Sequence, residues 1–397
     1  MKIGILGQGI SGLFLALMIK KDNPKIEVTV IDKNMFPGKK MLATGNGRFN
    51  VGNFDINSFS YNNSIGDRIV FDMGGPEGLC DYLSEIGIQT RRLGNLIYPY
   101  SLSAKNTLTY LLSLLNSYKV EFINNETVLD YVTTKNKVRV KTNKKEFVFD
   151  KFVISSGGAA NPNLGGDTKI YDVLKSHGYK INTLRVGLCP IKTVEETRTI
   201  ESERLKAKVK LIIDKEIKYE EEGEVLIKKD GLSGIAIFNA ASMISRNKKF
   251  KKAIISLDIA PEYDSEELTF ILKKSLKRKN IEVLQGFYNI PTAKYILKRL
   301  RLSEEEMLEE KNISDVVTII KNLTFTYLGH YSFKDSQITI GGLSLDEIDE
   351  NLSSKREEGI YFTGEVIDID GLCGGYNIMF AIASAYKVAE DIKRSWI

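Results

Sequence analysis

Apolar residues run without interruption through "KIGIL" at 2–6, and such a run is the mark of a strand buried on both faces of a parallel sheet. "LFLALMIKK" (13–21) follows with helical character, and "EVTVID" (27–32) reads as a second strand. Helical periodicity returns in "PEGLCDYLSEIG" and "SAKNTLTYLLSLLNS", with "LIYPY" extended between them. "KVEFI", "ETVLDYVTT", "KVRVKTN" and "EFVFDKFVISSGG" then alternate in strand fashion around Asn- and Lys-rich turns. They predict a last parallel strand, a short antiparallel meander and a return into the sheet. Strand-like text fills about 187–234, and 264–323 is largely helical and heavily charged. Near the end, "GIYFTGEVIDIDGLCGGYNIMFAIASAYKVAEDI" predicts a strand over 360–363, a Gly364-Glu365 pair, a loop and a helix opening near Gly374-Gly375.

The pattern implies an α/β protein. A Rossmann-type domain, 1–186 with 333–397, carries the meander and is interrupted by an inserted β-rich region (187–261) and a mainly helical one (262–332). The 397 residues are too many for one ordinary core, which agrees with more than one unit.

Between first strand and first helix stands Gly7-x-Gly9-x-x-Gly12, and Asp32 ends the second strand twenty residues later. Gly7 permits the tight turn, Gly9 lets backbone approach a pyrophosphate, and Gly12 lets the helix sit close on the sheet. The phosphates then meet free N–H groups at the positive helix end. Asp32 stands at the spacing for a ribose hydroxyl, and its charge disfavours a 2′-phosphate. Strand before, helix after and an acid at this offset make the motif a dinucleotide site.

An NAD domain would continue through regular βα units. Here "KMLATGNGRFNVGN" (40–53) follows instead, crowded with glycine, asparagine and cations. Lys39, Lys40 and Arg48 offer charge, and Thr44, Asn46 and Asn50 offer neutral hydrogen bonds. Such a loop suits a long cofactor, so FAD is favoured over NAD. "GGAANPNLGGD" lacks the context of a second nicotinamide domain. Either NAD(P)H visits as a transient co-substrate, or the organic substrate itself gives the electrons; both stay open.

These segments resemble the HI0933-like flavoproteins, also called the BaiN-like or aminoacetone oxidase family of FAD-dependent oxidoreductases. The resemblance rests on "GKKMLATGNGRFNVGN" (38–53), "VISSGGAANPNLGGD" (153–167), "GEVLIKKDGLSGIAIFNAAS" (223–242), "SQITIGGLSLDEID" and "GEVIDIDGLCGGYN". It implies FAD held by both chain ends. Gly7, Gly9, Ile10, Ser11 and Gly12 would line the pyrophosphate, with Asp32 and Lys33 at the adenosine ribose. Lys40, Thr44, Asn46, Gly47 and Arg48 would face the cofactor's middle. Val128, Ser156, Gly157 and Gly158 would close the adenine end. Gly364 and Glu365 would meet the ribityl-phosphate region, and Gly375, Tyr376 and Asn377 the ring. Phe49 and Leu372 depart from the family's "GRCN" and "GPCGGYN".

Composition narrows the chemistry. A net charge of +5 is too slight at this length for a nucleic-acid binder. The runs "KKSLKRKN" and "KRLRL" alternate with leucines and precede "SEEEMLEE", as on a solvated amphipathic face. Cys80, Cys189 and Cys373 form no CxxC pair, and the two histidines, His177 and His330, exclude a His-based metal site and a Ser/His/Asp triad. No signal peptide or membrane span is legible, so a cytoplasmic protein is expected. A flavin carries its own electron chemistry, and only Tyr376, Asn377 and Tyr98 stand as catalytic candidates, with Cys373 read as packing. The expected activity is two-electron oxidoreduction of a small organic substrate. An amine-type oxidase passing electrons to oxygen and an RNA-binding flavoprotein are the alternatives.

Overall fold

The parallel sheet forms as its apolar runs require. Its order is Ile360–Phe362, Lys151–Ile154, Lys2–Leu6, Glu27–Ile31, Glu121–Ile123, and every neighbouring pair is parallel. Ile3, Ile5, Val30, Val153 and Phe362 expose no surface. The computed structural model describes residues 1–247 and 249–395. The helix Ile10–Asp22 is buried from Ser11 to Lys20, because the sheet lies under it and the C-terminal helix Tyr376–Arg394 packs beside it. Chain order runs outward from Lys2–Leu6 in both directions. The carboxyl end of that central strand is therefore a topological switch point, where α/β sheets bind ligands.

Ile181–Gly187 pairs with Ile338–Leu343 in a separate two-stranded sheet, and two three-stranded antiparallel sheets attach to this unit. One is the expected meander, Val128–Thr134, Lys137–Thr142 and Glu146–Phe149. The other pairs Gly52–Asn53 with the hairpin Leu96–Pro99 and Thr90–Leu93.

The chain divides into two compact units, Met1–Arg185 with Gln337–Ile397, and Val186–Ser336. The second holds a closed barrel in the order Ile191–Thr193, Gly231–Ser233, Glu216–Lys228, Arg204–Ile213, Ala253–Asp258, Leu323–His330. This differs from the expected separation of 187–261 from 262–332. The helices Ser265–Lys273, Asn280–Gln285, Ile290–Leu300 and Glu310–Lys321 are an excursion between two adjacent barrel strands. Leu323–His330 pairs on one side with Ala253–Asp258 and on the other with Ile191–Thr193, so the barrel cannot close without the end of the "helical" region. Inside the "β-rich" region, Ile235–Arg246 is a helix with one apolar face in the core.

In the first unit, His177 caps the helix Lys169–Ser176 and joins three segments. Its Nε2 lies 2.9 Å from Asp130 Oδ1 on the meander, and its Nδ1 lies 2.9 Å from Glu357 Oε1. The Tyr131 ring stacks on the imidazole at 4.1 Å. Tyr131 and Tyr179 both donate to Glu357 Oε2, at 2.7 and 2.8 Å. Each ring nitrogen faces a carboxylate oxygen, an arrangement that favours the doubly protonated imidazole. Burial opposes the charge, yet the bonds to Asp130 and Glu357 outweigh it and raise the imidazole above its ordinary pKa.

A raised folded-state pKa fixes the sign of the pH dependence. The contribution is fully present below the unfolded value of about 6.5 and is lost as pH rises through the higher folded value. His177→Gln is expected to lower the melting temperature most in mild acid, with the gap from wild type narrowing as pH rises through that window. Melting curves across pH 5 to pH 9 test this; a constant gap would sink the charged-clamp assignment.

Candidate functional site

The three fingerprint glycines have distinct steric reasons. Gly7 has φ of +111°, and a Cβ there would stand 2.4 Å from the Ser155 carbonyl oxygen. At Gly12 a Cβ would stand 2.0 Å from the Gly7 carbonyl oxygen. Both are demanded by the protein's own packing. At Gly9 a Cβ would meet nothing within 4 Å, so the protein's own atoms do not require glycine there. Gly9 caps the helix that Ile10 opens, with no side chain occupying its N–H groups. Buried beside this turn, Ser11 Oγ and Gln8 Oε1 have no hydrogen-bond partner among the described residues. An open backbone cradle, orphaned polar atoms and a helix N-terminus suit a pyrophosphate.

Asp32 is oriented from both sides. Its Oδ2 accepts from the Gln8 amide at 2.7 Å, and its Oδ1 accepts from the Asn34 amide and side chain at 2.7 and 2.8 Å. Oδ2, with a single donor, keeps acceptor capacity for a ribose hydroxyl. The backbone leading to Val128 runs alongside: Asp32 donates to the Ile123 carbonyl, and Glu126 donates to the Asp32 carbonyl at 3.0 Å. Lys33 turns to a protein partner, Asp167, at 2.6 Å. Burial disfavours that carboxylate's charge, but Lys33 and the amides of Lys169 and Thr168 hold it below its usual range.

Lys39–Ala43 is a short helix, and the following turn enters the left-handed region at Gly45, Asn46 and Gly47. Thr44 donates to the Met41 carbonyl at 2.6 Å, which tightens the turn; Asn46 and Arg48 are exposed. Phe49 is fully buried although its φ is +62°, so the chain buries an apolar ring in this loop at the expense of backbone strain.

Lys40 Nζ approaches Glu365 Oε2 at 3.6 Å, and Gly157 and Gly158 border the pair. A Cβ on Gly158 would stand 2.4 Å from Thr339 Oγ1 and 2.8 Å from Glu365 Oε1. Ser156 makes only a 3.4 Å contact with the neighbouring Gly157 carbonyl, whereas Ser155 Oγ donates to Leu6 O at 3.0 Å and ties the strands. Gly364, with φ of +71°, brings the C-terminal segment to Ser11: a Cβ there would lie 3.0 Å from Ser11 Cβ.

Gly375, at φ +99°, caps the C-terminal helix, and a Cβ would stand 2.6 Å from the Gly52 carbonyl and 2.8 Å from Asn50 Oδ1. Asn377 braces the preceding loop, accepting from the Gly371 amide at 2.8 Å and donating to the Gly371 and Leu372 carbonyls. Tyr376 is buried, and its hydroxyl donates to the Asp55 carbonyl at 2.6 Å. Its own carbonyl accepts from Tyr61, whose hydroxyl burial keeps protonated. Tyr376 thus locks the helix start. Tyr98 lies against Gly45, its ring 3.6 Å from a Cβ position there. Cys373 Sγ sits 3.7 Å from Gln337 Oε1.

Gln8, an unspecified position of the fingerprint, and Asn50 and Thr339 outside it also border the cradle. Thr339 accepts from the Ala160 amide and donates its own amide to Glu365. Asn50 Oδ1 is buried with no partner among the described residues. The sequence signals for Thr339 are the apolar run around it and the place of "SQITIGG" in the family resemblance. Among the described residues no group of three metal-ligating side chains exists. The donors and open backbone fit FAD.

The glycine geometry separates fold from binding. Gly9→Val is expected to fold and to melt like flavin-stripped wild type, yet to purify without flavin. Gly12→Ala is expected to lose stability by about 1–3 kcal/mol, as overpacking does. Thermal melts and flavin absorbance test both; a fully yellow Gly9→Val protein would refute the cradle.

The model of the HI0933-like protein Rossmann domain matches residues 1–391. The chain is 26% identical over 397 residues to a 3-dehydro-bile acid delta(4,6)-reductase of Clostridium scindens, covering 97% of each protein. It is 25% identical over 400 residues to a ribosomal RNA dihydrouridine synthase of Escherichia coli, covering 98% of this chain and 97% of that protein. A ribosomal RNA dihydrouridine synthase of Haemophilus influenzae is 23% identical over 407 residues, with 98% of each covered. With the fingerprint, the switch point and the two converging chain ends, these matches lead to one conclusion: the chain belongs to the HI0933-like family and is an FAD-dependent oxidoreductase.

Proposed function

We propose that this oxidoreductase reduces a carbon–carbon double bond conjugated to a carbonyl, in a small organic molecule. The observation that carries the reading is the meeting of the chain ends at Ser11 and Gly364, which makes one cradle of binding groups rather than of acid–base machinery. Tyr376 and Asn377 are engaged in holding the helix start and the 371–372 loop. FAD, when bound and reduced, supplies the two electrons as hydride. The protein's part is to bind and orient. Ser11, Asp32 and the 157–158 turn hold the cofactor, and Gly375 leaves the positive end of the helix Tyr376–Arg394 to stabilise arriving negative charge.

The names of the relatives support the bond change. Read chemically, a delta(4,6)-reductase of a 3-dehydro-bile acid and a dihydrouridine synthase each add two hydrogens to a double bond within reach of a carbonyl. They also support a second reading, in which the double bond belongs to uridine in RNA. Charge favours the small molecule. In the helical region Lys273, Lys279 and Lys294 pair with Glu310, Glu305 and Glu304 at 3.1, 2.6 and 2.9 Å, which offsets part of that region's positive charge.

A reductase needs an outside donor, and NADH or NADPH visiting as a co-substrate meets that need. Anaerobic titration is expected to bleach the flavin with one nicotinamide, and cyclohex-2-enone to restore the colour with release of the saturated ketone. Recolouring by air alone, without saturated product, would favour the oxidase reading. Conversion of uridine to dihydrouridine in a transcript, with no turnover of enones, would favour the RNA reading.

A further inference from the structure

The hairpin Thr90–Leu93/Leu96–Pro99 presents one face to the two loops at the ring end of the site. Leu96 Cδ2 lies 3.7 Å from a Cβ position on Gly374, and Tyr98 lies 3.6 Å from one on Gly45. Gly45 in turn packs on Asn50, whose Oδ1 stands 2.8 Å from a Cβ position on Gly375. Arg91 is the cross-strand partner of Tyr98, so its side chain belongs to this same face. Its guanidinium stacks on Tyr100, 3.9 Å from the ring centroid, and Tyr100 is 63% exposed. Among the described residues no carboxylate pairs with Arg91, and its buried Nε has no hydrogen-bond partner. The adjacent Arg92 differs: it donates to the Gly94 carbonyl at 2.7 Å and to Asn95 at 2.9 Å.

A guanidinium stacked on an aromatic ring is held in one plane, which fixes its donors for a bidentate anion. Leu96, Tyr98 and Tyr100 beside it supply apolar surface. We infer that Arg91 binds the anionic group of the substrate, and that the substrate is an apolar molecule bearing a carboxylate remote from its reactive double bond. The inference rests on the reductase reading above and adds the substrate's charge and polarity to it.

The test uses the flavin-loaded protein, with 4-phenylbutyrate and its neutral amide as probes in isothermal titration. The carboxylate is expected to bind about tenfold tighter or more, as one charge-assisted hydrogen-bonded pair allows. Arg91→Gln should abolish that preference without changing flavin content. Arg91→Lys should keep part of it, and Arg92→Gln should leave it intact. Equal affinities in wild type, binding of neither probe, or a preference that survives Arg91→Gln would each overturn the assignment. Failure of the underlying reading is visible separately, as a protein that is colourless or that reduces no conjugated ketone.

Discussion

At the first turn, the Gly7 carbonyl oxygen lies 2.0 Å from where a side chain at position 12 would begin, and the Ser155 carbonyl lies 2.4 Å from where one at position 7 would begin. These two contacts let the helix Ile10–Asp22 start directly over the end of the central strand. They also bring the strand Lys151–Ile154 to its flank. Everything else at the site is placed relative to that packed turn. Gly9 stays open above it, Asp32 is fixed to it through the Gln8 amide, and Ser155 ties it to the neighbouring strand.

The C-terminal segment completes what the N-terminal turn begins. Ile360–Phe362 joins the same sheet beside Lys151–Ile154, so residues more than three hundred positions apart meet at the switch point. Gly364 then passes Ser11, Glu365 reaches toward Lys40, and Gly375 fits against Gly52 and Asn50. Tyr61 and Tyr376 secure this closure with buried hydroxyls bonded to backbone carbonyls. Hydrogen-bonded tyrosines of this kind stabilise a loop start, because leaving either buried hydroxyl unmatched would cost about 1–3 kcal/mol.

Much of this was written in local patterns. Unbroken apolar runs declared the parallel strands, alternation declared the meander, and the spacing from Gly12 to Asp32 declared a dinucleotide turn. The glycines of "GKKMLATGNGRFNVGN" and "GLCGGYN" declared backbone that must approach something closely. Such features depend on a residue and its near neighbours, so sequence alone could reveal them. It determined a Rossmann sheet with a dinucleotide-binding turn.

What remained for the tertiary structure was pairing across distance. "LTFTYLGH" follows sixty residues of helical text, and only its hydrogen bonds to strands at 191–193 and 253–258 make it the closing strand of a barrel. Lys33 is engaged by Asp167 and Lys40 approaches Glu365, and Tyr376 is a structural lock because Asp55 happens to lie under its hydroxyl. Gln8 stands inside the fingerprint and Thr339 inside "SQITIGG", yet no local pattern gives either side chain its role; Thr339 is placed by the Ala160 amide and Glu365, which stand within about 3 Å of it. The reason is physical. Local order follows from propensity and periodicity, whereas a side chain's chemistry is set by the partners that folding delivers from elsewhere in the chain.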